Sequence, residues 1–105
     1  MANGDITKEI EYDKIEVVST WNIQVRKATK IMEEQSDGSK IELSRSFHRH
    51  VLVPFNSQKD EDGKWTHTAT DISGEDASVQ AIANAAWTDS VKANYKTWCE
   101  SQTRI

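Results

Sequence analysis

Residues 21–53 read WNIQVRKATKIMEEQSDGSKIELSRSFHRHVLV, and this stretch decides the fold. Two segments in which apolar and polar residues alternate flank the turn sequence Ser36-Asp37-Gly38. Alternation with a period of two predicts a half-buried β-strand, because successive side chains of a strand point to opposite faces. The stretch therefore predicts one long β-hairpin.

The register of this hairpin follows from nine of its large apolar residues, which carry odd numbers. They share one face only if the numbers of facing residues add up to an even value. A three-residue turn at Ser36-Asp37-Gly38 gives a sum of 74 and places Gly38 at the left-handed position of a G1-bulge turn. We therefore expect Ile31 opposite Leu43, with one shared apolar face in the core: Trp21, Ile23, Val25, Ile31, Ile41, Leu43, Phe47, Val51 and Val53.

The remaining segments complete an α+β pattern. Apolar residues at i, i+3 and i+4 spacing from about Glu75 to Gln102 predict one long amphipathic helix. Residues 6–18 predict a further strand, residues 56–72 a polar loop with a short edge strand at Trp65 as the alternative, and residues 1–5 a frayed N-terminus. The predicted fold is a single α+β domain over residues 1–105, an antiparallel meander of three to four strands packed against one long C-terminal helix.

Composition narrows the class of protein. The chain has 105 residues, of which 29% are charged, and a net charge of -4, so a dominant electrostatic footprint for nucleic acid is missing. The sequence shows neither a signal-peptide pattern nor the ~18 consecutive apolar residues that a membrane span needs. We therefore expect a soluble protein that is made in a cytoplasm, with no membrane partner and no cofactor.

Four residues are the candidates for an interface. His48 and His50 lie at i and i+2 on a predicted strand, so their imidazoles share one face. They could bind zinc with a third ligand such as His67, but no second spaced ligand pair exists and a solvated polar face is the simpler interpretation. By the predicted register Arg26 faces His48. Trp65, in the polar segment, is a candidate interface anchor.

The sequence offers no catalytic pattern. A nucleophile elbow, a phosphate-binding loop, a dinucleotide glycine motif and a paired Cys-x-x-Cys are all missing. Cys99 is the only cysteine and lies on the predicted helix, where a buried small apolar side chain is the simpler interpretation. We therefore expect a protein that is not an enzyme and has neither catalytic nor metal-ligating residues.

Four segments together resemble a group of small uncharacterised proteins of marine tailed phages, cyanophages included. They are IQVRKAT (23–29), SRSFHRH (44–50), DISGE (71–75) and AWTDSVK (86–92). The similarity runs from about Ile6 to Tyr95. It implies a phage-encoded protein of the virion, near the tail or its fibres, and it supplies no functional residues to transfer.

Two functions fit these expectations. The first is a non-enzymatic structural or assembly protein of the phage, which docks on a second copy of itself or on another virion protein. The alternative is an intracellular phage regulator that binds a host protein or nucleic acid, although the net acidity makes nucleic acid the weaker partner. Stable, stoichiometric association in the particle would distinguish the first from the second.

Overall fold

The computed structural model describes residues 4–102 and confirms the α+β class. The elements of this part are β1 (Ile6–Val18), β2 (Asn22–Glu34), β3 (Lys40–Leu52), β4 (Phe55–Lys59), β5 (Trp65–Ala69), α1 (Ala77–Ala86) and α2 (Asp89–Ser101). Strands β1, β2 and β3 form an antiparallel sheet in that order, and β4 and β5 form a separate two-stranded sheet. The predicted meander is therefore limited to three strands.

The first turn of the sheet fixes the register of β1 on β2. Ser19 and Thr20 both have positive φ values, 56° and 67°, as a two-residue hairpin turn requires. At the far end of the same pair, the Glu34 amide donates to the carbonyl of Asp5 over 2.9 Å. Facing residues therefore have numbers that add up to 39 at both ends. Residues 4 and 5 are hydrogen-bonded to β2 rather than frayed, while residues 1–3 of the predicted frayed segment lie outside the described residues.

The second turn confirms the predicted three-residue loop between β2 and β3. The Gln35 amide donates to the carbonyl of Ser39 over 2.7 Å, and Gly38 has a φ of +88°. The Asp37 carboxylate accepts from the Ser39 amide over 2.9 Å, which stabilises the turn. Glycine suits this position because a positive φ is costly for residues with a Cβ.

The predicted shared apolar face of the hairpin is wrong from Phe47 onward. The guanidinium carbon of Arg26 lies 4.5 Å from the centre of the Phe47 ring, so both side chains occupy one face. With facing numbers that add up to 74 they would lie on opposite faces, so one residue is inserted between the turn and Phe47. Arg26 therefore does not face His48 as predicted, because His48 points to the side opposite Phe47. Burial agrees with this shift, because Ile23 is fully buried whereas Phe47 and Val51 are 44% and 57% exposed.

A short hairpin replaces most of the predicted polar loop over residues 56–72. Strand β4 pairs antiparallel with β5, and Ser57 lies opposite His67. The Asp60 carboxylate accepts from the backbone amides of Asp62 and Lys64 over 2.9 and 2.8 Å, and these bonds shape the turn. The alternative of a short strand at Trp65 is confirmed, in a sheet of its own.

Two helices replace the predicted single long helix. Helix α1 ends where the Trp87 amide donates to the carbonyl of Ala83 over 2.8 Å. Thr88 then caps α2, because its side chain accepts from the Val91 amide and Asp89 follows in the first turn. Within residues 4–102, neither helix is long and apolar enough to cross a membrane.

The chain divides into two compact units. The first comprises residues 4–15 and 25–50, and the second comprises residues 16–24 and 51–102. In the second unit, the Trp87 indole donates to the carbonyl of Trp21 over 2.8 Å. The buried apolar side chains of the second unit are Ile23, Val79, Ala83, Trp87, Tyr95 and Cys99, and those of the first are Val25 and Ala28.

Candidate functional site

The first unit carries an uncovered apolar face. Facing numbers that add up to 39 place Ile6 and Ile10 on the side of the odd-numbered residues of β2. Near the turn, where facing numbers add up to 74, Ile41 and Leu43 lie on that same side. These four side chains, here called the apolar face, are 58%, 52%, 46% and 49% exposed in that order. Several large exposed apolar side chains on one side of a sheet are typical of interaction sites.

The opposite side of the same sheet is charged and largely self-neutralised. Asp13 lies directly opposite Arg26 and accepts two hydrogen bonds from its guanidinium, over 3.0 and 2.8 Å. Three further ion pairs have N–O distances between 2.7 and 3.5 Å. Two of them join different strands, Lys30–Glu11 and Lys40–Glu9, and one lies within β3, Arg45–Glu42. Four basic side chains of the hairpin are therefore already paired with carboxylates of the same sheet.

Phe47 lies on this charged side and has cations around its ring. Arg26 stands 4.5 Å and Arg49 stands 5.8 Å from its centre. Both distances are within the range of a cation–π contact, which covers an otherwise exposed aromatic ring. The predicted interface residue Arg26 is thus held by Asp13 and Phe47 of its own chain.

The Arg26–Asp13 pair leads to a pH prediction. Hydrogen bonds from the Arg26 guanidinium hold the pKa of Asp13 below its ordinary value of 3.8. A lowered pKa in the folded state means that the carboxylate stabilises the fold above about pH 4 and loses this effect as the pH falls through the folded-state pKa. We expect Asp13→Asn to lower the thermal midpoint at pH 7 and to shrink the fall of that midpoint on acidification.

Thermal melts followed by circular dichroism between about pH 7 and pH 2 would measure both effects. Arg26→Gln is the matched control, because it removes the same pair from the other side. The double variant, Asp13→Asn with Arg26→Gln, should then have a thermal midpoint no lower than that of the less stable single variant. If the Asp13→Asn protein loses stability on acidification as steeply as the unchanged protein, the Arg26–Asp13 pair is not the cause of that loss.

The two candidate histidines of β3 are neighbours without forming a metal site. The ring centres of His48 and His50 lie 5.9 Å apart with an interplanar angle of 36°. Among residues 4–102, no group of three or more His, Cys, Asp or Glu side chains is placed to hold a metal ion. The proposed third ligand, His67, is engaged by hydrogen bonds in the second unit.

Trp65 belongs to an aromatic cluster of the second unit. Its ring stacks on His67, with ring centres 5.9 Å apart and an interplanar angle of 4°. It also lines a cavity of about 580 Å³ together with Phe55, Tyr95 and Trp98. The sequence predicted Trp65 as an interface anchor and did not indicate that it lies beside this cavity. The i, i+2 spacing of Phe55 and Ser57 and of Trp65 and His67 could have indicated two short strands, but not that α2 lies beside them.

A chain of hydrogen bonds joins this hairpin to α2. The Ser57 hydroxyl lies 2.7 Å from Nδ1 of His67, and Nε2 of His67 lies 2.8 Å from the Glu100 carboxylate. The residue types match those of an acyl-transfer triad, but in that triad the nucleophile meets Nε2 and the acid meets Nδ1. The order here is reversed, so we interpret these two hydrogen bonds as a structural link between β4, β5 and α2.

Tyr95 and Cys99, one turn apart on α2, form the buried side of the cavity. Burial, together with a hydrogen bond to the Cys99 thiol, raises the pKa of Tyr95 to about 12. The Tyr95 ring is held edge-on by Trp21, with ring centres 5.4 Å apart. The phenol is therefore neutral over the physiological pH range and its orientation is fixed.

Comparisons with protein-family models, with curated proteins and with solved structures found no match to this chain. The resemblance to marine phage proteins therefore stays a prediction. Any assignment of function must come from the surfaces described above.

Proposed function

We propose that this chain is a non-enzymatic structural or assembly protein that docks through the apolar face of its first unit. The observation that carries the proposal is the exposure of Ile6, Ile10, Ile41 and Leu43, each close to half exposed. Their burial would contribute roughly 25 cal/mol per Å² of apolar surface removed from water. An uncovered β-sheet also has a strand edge on each side that favours pairing with another chain.

The occupant we propose is a second copy of this chain. A self-complementary apolar face is the usual basis of a two-fold dimer, since the same surface meets itself. The ion pairs on the other side of the sheet support this choice, because they leave that side hydrated and its charges already matched. By its phage resemblance the assembled protein belongs to the virion, and another virion protein is the alternative occupant.

The second candidate function, a regulator that binds a host protein or nucleic acid, has less support. Four basic side chains of the hairpin are paired with acids of the same sheet, namely Arg26, Lys30, Lys40 and Arg45. A phosphate backbone attracts unpaired lysine and arginine, and each such contact adds to the salt dependence of binding. Nucleic acid is therefore not the partner that the surface favours.

Light scattering behind a sizing column tests the proposal directly. We expect a mass of two or more times the 11.9 kDa of the chain, unchanged when a chelator is added. A monomer at every concentration would contradict self-association and favour the regulator. A mass that falls on chelation would make His48 and His50 metal ligands between copies.

A further inference from the structure

The aromatic cavity of the second unit has the features of a binding site for a small molecule. Its volume of about 580 Å³ lies within the range of roughly 300–1,000 Å³ that is usual for such sites. It is formed by β4, β5, α2 and the segment that precedes β4. Four of its lining residues are aromatic: Phe55, Trp65, Tyr95 and Trp98.

The aromatic walls are held in place before any ligand arrives. Trp65 is stacked on His67, and Tyr95 touches Trp98, with ring centres 6.0 Å apart. Trp98 also contacts Trp21 at 5.8 Å between ring centres, yet it stays 46% exposed. A flat ring could therefore be stacked without much ordering of side chains, which is a main cost of binding.

The chemistry of the lining selects for an uncharged ligand. All the residues that line the cavity in the described part of the chain are uncharged, and apolar and aromatic residues outnumber polar ones. Two charged residues close to lining residues of the cavity have opposite signs. Lys96 stands 4.7 Å from the centre of the Phe55 ring, and Glu100 is bound to His67. A charged ligand would lose its hydration without gaining a partner in the wall.

Two hydroxyls of the wall already have partners, because Ser57 is bonded to His67 and Thr70 donates to the carbonyl of Val53. When Nε2 of His67 donates to the Glu100 carboxylate, its Nδ1 accepts the Ser57 hydroxyl proton. Ser57 then presents only acceptor lone pairs to the cavity. A single hydrogen-bond donor on the ligand, directed at Ser57, matches this wall.

We propose that the cavity binds an uncharged compound of one or two aromatic rings with a single N–H or O–H donor. The rings stack between Trp98 and Trp65, and the donor meets the oxygen of Ser57. This site is separate from the apolar face of the first unit, so its occupancy does not depend on the assembly function proposed above.

The test uses N-phenyl-1-naphthylamine, a neutral two-ring dye with one N–H, titrated into the full chain. We expect saturable enhancement of dye fluorescence and energy transfer from tryptophan. Trp98→Ala should weaken dye binding about tenfold, and Ser57→Ala about threefold. Trp98 is half exposed, so the variant is expected to fold, and circular dichroism checks this.

Two controls separate this site from other apolar surfaces. Leu43→Ala removes a side chain of the apolar face and should leave dye affinity unchanged. The sulfonated dye 1-anilinonaphthalene-8-sulfonate has similar rings with a negative charge and should bind at least about tenfold more weakly. Dye binding that Leu43→Ala weakens and Trp98→Ala does not, equal affinity for the charged dye, or no binding at all would overturn the proposal.

Discussion

Replacing Trp87 with alanine is expected to lower the free energy of unfolding by about 3–5 kcal/mol. The side chain is only 7% exposed, and its indole N–H donates to the carbonyl of Trp21 over 2.8 Å. The substitution leaves a cavity and removes the donor that satisfies this carbonyl. Domains of this size have a total stability of about 5–15 kcal/mol, so the loss would be a large fraction of it.

Urea denaturation followed by circular dichroism would measure this effect, with two variants for comparison. Trp98→Ala removes the same kind of side chain from a site that is 46% exposed and loses two ring contacts, so it should cost less, about 1–2 kcal/mol. Trp87→Phe keeps most of the apolar volume and loses the hydrogen bond, so it should cost an intermediate amount. A near-neutral Trp87→Ala would mean that this residue does not belong to the core.

Trp87 also shows why the break between the helices was not predicted. The apolar spacing continues through the junction, because Ala83, Trp87 and Val91 keep an i, i+4 pattern in the sequence. The apolar periodicity shows which side chains share a face, and it does not change when a single residue departs from helical geometry. The local signal was Thr88 followed by Asp89, a threonine N-cap with an acid in the first turn.

The hairpin was predicted correctly at its turn and wrongly along its length. Gly38 at the left-handed position fixes the register locally, and that chemistry is visible in the sequence. The inserted residue between the turn and Phe47 is not visible in the sequence. A bulge changes the face of every residue beyond it, yet it needs no distinctive residue type. As a result Phe47 lies against Arg26 rather than in the predicted core.

The surroundings of the candidate interface residues could not be predicted either, because they depend on how the strands pair. Which charges are paired depends on register, and Arg26 meets Asp13 only because β1 and β2 face each other with numbers that add up to 39. The composition of residues 56–72 is polar, yet Phe55 and Trp65 are brought together on one side of a hairpin that faces α2. Proximity in the folded chain created that cavity, and spacing in the sequence did not indicate it.

The second large effect concerns the apolar face. We expect Leu43→Glu to weaken self-association at least about 100-fold, measured as the dissociation constant from sedimentation at several concentrations. Leu43 is 49% exposed in the single chain, so a carboxylate there remains hydrated when the chain is alone. In the assembly the same carboxylate would be buried without a partner, and the desolvation penalty falls on the associated state.

Phe47→Glu is the matched control for Leu43→Glu. Phe47 lies on the same strand with a similar exposure of 44%, but on the charged side of the sheet beside Arg26 and Arg49. A carboxylate there meets cations, so association through the apolar face should be unchanged. Ile10→Glu, on β1, should reproduce the effect of Leu43→Glu, because both positions lie on the apolar face. If Phe47→Glu dissociates the protein and Leu43→Glu leaves it intact, the copies meet through the charged side, and the apolar face needs another partner.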